Sequence, residues 1–144
     1  MIMRTFATFE ATGFPNESEW TESGSPLVPD GRSVSRTLAA ALKAMGHRVT
    51  QPTQHSFYGW AFEVACPKQM EWCLLQGGDP WLLVVEERRL GWHRLFGSGR
   101  SPDLAAALRA VDQALRNDPR FSCVQWFTKC DYEAGAKEGA ETPL

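Results

Sequence analysis

Between Ser56 and Cys66 apolar side chains recur at every second residue: Tyr58, Trp60, Phe62, Val64 and Cys66 share one side, while Phe57, Gly59, Ala61, Glu63 and Ala65 share the other. A period of two predicts a strand. Pro67, Lys68 and Gln69 turn the chain, Met70 to Gln76 predicts the returning strand, and Gly77-Gly78-Asp79-Pro80 ends it. Trp81 to Arg88 follows as a third strand, apolar on both sides in its first half, which predicts a central place beneath a helix. Trp92 to Phe96 completes a predicted antiparallel meander. Arg4 to Glu10 and Phe121 to Thr128 predict a first and a last strand.

Two stretches change the period. From Ser33 to Met45, Val34, Leu38, Ala41, Leu42 and Met45 fall at helical spacing, with Ser33 as the expected N-cap and Gly46 as a left-handed stop. The opposite side, with Arg36, Thr37, Ala40, Lys43 and Ala44, predicts a helix lying on a surface. Ser101-Pro102-Asp103 starts the second helix as cap, N1 proline and an acid at the positive helix end. Leu104, Ala107, Leu108, Val111 and Leu115 form its stripe, and Asn117-Asp118-Pro119 stops it. The expected fold is α+β in two layers. A largely antiparallel sheet of about five to six strands carries two amphipathic helices on one face, in the order β-α-β-β-β-β-α-β. The second helix leaves room for one parallel neighbour in that sheet.

Residues 12–32 are punctuated by Gly13, Pro15, Asn16, Gly24, Pro26, Pro29 and Gly31 and predict a long irregular loop, with Trp20 and Leu27 tacking it to the body. Residues 1–130 are expected to form a single α+β domain, and 131–144, small and polar, a disordered tail.

Length and composition limit the function classes. At 144 residues with 43% hydrophobic and 22% charged side chains, the chain can build one ordinary core and is not disordered throughout. No apolar run reaches the roughly 18 residues that cross a bilayer, and Met1 to Glu10 lacks the pattern of an export signal, so a soluble, cytoplasmic protein with no membrane partner is expected. The net charge of −2 conceals a division. Thr5 to Gly31 holds five acids and no Lys or Arg, and Asp131 to Leu144 holds four acids against Lys137. The intervening Arg32 to Cys130 is basic, with 13 Lys/Arg and 8 Asp/Glu. Such separation suits electrostatic steering of a charged partner.

Local catalytic signatures are absent. Cys66, Cys73, Cys123 and Cys130 form two pairs, each with six intervening residues, wider than the two to four of a zinc knuckle. They are expected to be free thiols in a reducing compartment, although Cys66 and Cys73 could meet across a hairpin. His47, His55 and His93 belong to no metal or deaminase motif, and Gly77-Gly78-Asp79-Pro80 precedes a strand, unlike a phosphate loop. No catalytic residue, metal or cofactor is therefore assigned. Arg88, Arg89, His93 and Arg94, with Trp92 among them, and Arg100 before the second helix are the candidate anion or nucleic-acid contacts. Glu17, Glu19 and Glu22 surround Trp20 on the long loop, the combination of carboxylates and a buried aromatic anchor that suits a basic protein surface.

The leading reading is a non-enzymatic protein-binding domain, of the kind represented by small bacterial inhibitors or toxin-neutralising immunity proteins. Its acidic loops, through Glu17, Glu19, Trp20 and Glu22, would cover a basic partner. A small-molecule binder or enzyme with a pocket on Tyr58, Trp60 and Phe62 is the alternative, and a nucleic-acid-binding protein using the Arg88 to Arg94 region is the third. The oligomeric state is left open.

Overall fold

The computed structural model describes residues 2–87 and 102–144. The expected strand at Trp92 to Phe96, the Ser101 cap, and the candidate contacts Arg88, Arg89, His93, Arg94 and Arg100 lie outside the described residues.

The two-residue period holds in three dimensions. Strand β1 spans Phe6–Ala11, and the following loop carries the short strands β2 (Glu19–Trp20) and β3 (Pro26–Val28). Helix α1 (Arg32–Ala44) leads to β4 (Thr53–His55), β5 (Gly59–Ala65), β6 (Met70–Gln76) and β7 (Trp81–Glu87). Helix α2 (Pro102–Asn117), β8 (Phe121–Phe127) and the short helix α3 (Lys129–Glu133) complete the described chain. Six strands form one sheet in the order β4-β5-β6-β7-β1-β8, and β2 and β3 form a separate two-stranded sheet.

Every pairing in the large sheet is antiparallel. Among the described strands no two neighbours are parallel, and β1 sits between β7 and β8; the expected strand before the second helix lies outside the described residues. Strand β4 also stands where periodicity gave no strand. Thr53, Gln54 and His55 are too short and polar to carry an alternation, and their pairing with Gly59 to Ala61 holds them in place.

Side chains alternate as the pattern requires. Phe9, Phe62, Val64, Cys73, Leu75, Leu83 and Val85 meet Val34, Leu38 and Leu42 of α1 and Leu104, Leu108, Val111 and Leu115 of α2 in one core. Each large apolar side chain so buried contributes about 1.5–3 kcal/mol. Trp126, fully buried, donates its indole N–H to Asp112 Oδ1 at 2.8 Å, so burying the ring leaves no orphaned donor.

Helix α1 starts differently from expectation. Its N-cap is Gly31, not Ser33, with left-handed φ of 119° and no side-chain cap. A Cβ at Gly31 would stand 3.0 Å from the Trp81 ring and 3.3 Å from Leu75, so both backbone angle and space call for glycine. The stop is as expected. Gly46, at φ 96°, donates to Lys43 O and His47 donates to Leu42 O, the paired bonds of a Schellman turn.

The C-terminal residues, expected as a disordered tail, run back along the sheet. Ala140 and Trp126 exchange backbone hydrogen bonds of 2.8 Å, Arg4 N donates to Pro143 O at 2.7 Å, and Gly139 N donates to Gln125 Oε1 at 2.7 Å. Low hydrophobicity misleads here because backbone groups of the tail make most of these contacts, which composition does not register, and Leu144 adds an apolar contact with the core. The strand edge at β8 is thereby covered in part, and the opposite edge, β4, is only three residues long.

Candidate functional site

The acidic loop is divided by the structure into a tethered base and an exposed tip. At the base, Glu17 N donates to Asp30 Oδ1 at 3.0 Å, and Glu17 Oε1 accepts from Ser33 N at 2.8 Å. The first amides of a helix lack partners within it, and the helix end is positive, so a carboxylate there supplies both an acceptor and a favourable charge. Glu17 thus caps α1 from a distance, and its carboxylate is engaged by its own fold.

The tip is the β2–β3 hairpin, and there the expectation for Trp20 and Leu27 is corrected. Instead of tacking the loop down they are 61% and 54% exposed. The turn holds itself by polar contacts: Thr21 N donates to Ser25 O at 2.9 Å, and Ser25 N donates to Thr21 Oγ1 at 3.0 Å. The hairpin therefore needs neither apolar side chain for its own closure. Glu19 and Glu22 lie exposed beside Trp20 in the chain.

A second loop joins this surface. Phe57 and Tyr58, between β4 and β5, are 56% and 44% exposed, their rings 5.6 Å apart in an edge contact. Gln54 Nε2 donates both to Leu27 O at 2.9 Å and to Ser56 O at 2.7 Å, linking the hairpin to this turn. Trp60 Nε1 donates to Pro29 O at 2.9 Å and anchors the other end of β3. The alternation assigned Tyr58 to the strand side of Trp60 and Phe62, yet β5 starts only at Gly59. Trp60 and Phe62 are buried in the core, so the three do not form a common pocket. The signal that could have separated them is Gly59 itself: a Cβ there would stand 2.7 Å from Leu75 O, so the strand is entered at a glycine.

Buried ionisable groups gather elsewhere, where the β5–β6 turn meets the start of α2. Asp103, buried, accepts from Lys68 N at 2.8 Å and Gln69 N at 3.2 Å through Oδ2. The sequence assigned Asp103 only to the helix end; it also fastens the turn. Glu71 is fully buried and accepts from Gln69 Nε2 at 2.7 Å. Burial, with the Glu71 and Asp103 charges adding to it, pushes the Cys66 thiol up to about 11, and burial raises the Cys73 thiol further. Such thiols are poor nucleophiles at neutral pH, because only the thiolate attacks.

The four cysteines are free. A Cys66–Cys73 bridge is excluded by register. Cys73 stands opposite Phe62, and Cys66 lies four residues farther along that strand, roughly 13 Å at 3.3 Å per residue, whereas a disulfide needs Cα atoms within about 7 Å. His55 is held between Tyr58 and Trp72, ring centroids 5.4 and 5.2 Å away. Among the described residues no three His, Cys, Asp or Glu side chains gather as a metal-binding group, and no helix is long and apolar enough to cross a membrane.

A cavity of about 210 Å³ opens between the ends of β1 and β7 and the start of α2, bordered by Phe6, Glu86, Glu87, Leu104 and Lys129. It lies away from Tyr58, where the aromatic pocket was expected. Comparison with known proteins identifies no relative: no family model, no curated protein and no solved structure matches this chain.

Proposed function

We propose that this chain is a non-enzymatic protein-binding domain that presents the β2–β3 hairpin to a basic surface of its partner, in the manner of a small bacterial inhibitor or immunity protein. The observation that supports it is the solvent exposure of Trp20 and Leu27 on a hairpin closed by its own polar contacts. Exposed aromatics with no part in holding their own loop are the side chains from which binding hot spots are drawn. Glu19 and Glu22 supply charge for steering, in a stretch without a single Lys or Arg from Thr5 to Gly31. Glu17, another carboxylate of that stretch, fixes the base from which the hairpin projects. We place the protein in the reducing cytoplasm, to which four free thiols are suited.

The test is affinity capture from the native lysate with the full chain and with W20A and E19K/E22K variants. The reading expects a stoichiometric protein held by the wild type and lost from both variants. Equal capture by all three contradicts it.

A further inference from the structure

Resting on that protein-binding reading, we propose that Trp20, Leu27, Phe57 and Tyr58, with Glu19 and Glu22, form one docking surface, and that its occupant is an arginine-bearing segment of the partner.

The side chains come from two loops far apart in sequence and linked by one residue. Gln54 bonds Leu27 O and Ser56 O with the same Nε2, so the hairpin and the Phe57–Tyr58 turn adjoin. All four large apolar side chains are between 44% and 61% exposed. Three of them are aromatic, and the charged side chains on the hairpin are both carboxylates. A planar, weakly hydrated guanidinium is the complement of that pair of features: it lies flat on an aromatic face and bonds a carboxylate through its edge. Lysine offers only a compact, strongly hydrated charge.

The same molecule holds one of its own arginines in this way. Arg120 lies over the Phe14 ring at 4.5 Å while its Nε and Nη2 donate to the two oxygens of Asp118, at 3.0 and 2.7 Å. Arg32 lies over the Trp60 ring at 5.0 Å, close to the base of the hairpin. At the tip the exposed Trp20 has Glu19 beside it and Glu22 two residues on in the chain, within residues 5–31, which contain no Lys or Arg. Charge complementarity therefore fits this surface to the guanidinium of a partner.

The test titrates isotope-labelled full chain with three short Gly/Ser peptides that differ only in carrying spaced arginines, lysines or glutamines. The expected result is a shift of the Trp20 indole and of backbone amides in residues 19–28 and 56–58 with the arginine peptide. Binding should be about five-fold weaker with lysine and lost with glutamine or in W20A. Equal binding of the arginine and lysine peptides, shifts centred on the acidic residues 131–141, or no shifts at all would overturn the assignment. A concentration-dependent dimer in sedimentation that W20A dissolves would overturn it too, by making a second copy the occupant. Failure here is distinguishable from failure of the broader reading: lysate capture of a Trp20-dependent protein alongside unresponsive peptides leaves the protein-binding domain standing and removes only the arginine.

Discussion

Glu17 Oε1 accepts the backbone N–H of Ser33 at 2.8 Å, a helix cap delivered from sixteen residues upstream. Gly31, the residue in the N-cap position, has no side chain with which to do this, so the loop and the helix depend on each other. Removing the carboxylate with E17A is expected to cost about 1 kcal/mol, the usual loss for a helix cap. Hydrogen exchange should speed up at Ser33 and through residues 18–28, with E17Q intermediate. An E17A chain with unchanged stability and exchange would show that the contact does not hold the loop.

Gly31 and Gly46 both have positive φ but differ in surroundings. At Gly46 an added Cβ meets nothing within 4 Å, whereas at Gly31 it meets Trp81 and Leu75. Urea unfolding should show G46A losing about 1 kcal/mol from backbone strain alone, and G31A losing distinctly more, because overpacking adds to the same strain.

Asp103 joins two elements through two backbone donors, and D103A leaves those amides of Lys68 and Gln69 without their acceptor. An expected loss of about 1–3 kcal/mol follows from stranding them in a partly buried place. Denaturant midpoints for D103A and D103N compare the two effects: the amide of D103N can still accept, so it should lose less.

The thiols should divide by exposure and by pH. Cys123 and Cys130 are exposed and should react first with a thiol reagent at pH 8, while Cys66 reacts slowly and Cys73 only on unfolding. Raised folded-state values also fix the sign of a stability change. The unfolded chain releases these protons first, so stability conferred below about pH 9 is lost as pH rises through that value toward about 11 for Cys66. Thermal unfolding from pH 8 to 10.5 should show this fall, and it should be smaller in C66A.

Much of the fold is legible in the sequence because burial there obeys a period. Trp60, Phe62 and Val64 occupy the core side that their alternation gives them, and Leu38 and Leu42 do so by helical spacing. Strand β4 and the course of residues 139–144 escape because backbone hydrogen bonds, not side-chain pattern, create them. The candidate surface is half legible. Trp20, Glu19 and Glu22 stand out by composition and charge, while Phe57 and Tyr58 look like strand residues until Gly59 is seen to begin β5. Glu17 looks equivalent to its neighbours, and only the distance to Ser33 separates an engaged carboxylate from exposed ones.

A partner that docks on this protein should meet the hairpin tip and not another face. A photo-crosslinking amino acid placed at Trp20 in one chain and at the exposed Arg109 of α2 in another tests it in the native lysate. One basic protein should be joined in good yield from position 20 at low salt, less at higher salt, and nothing comparable from position 109. Equal products from both positions, or none from position 20 under either condition, would contradict it.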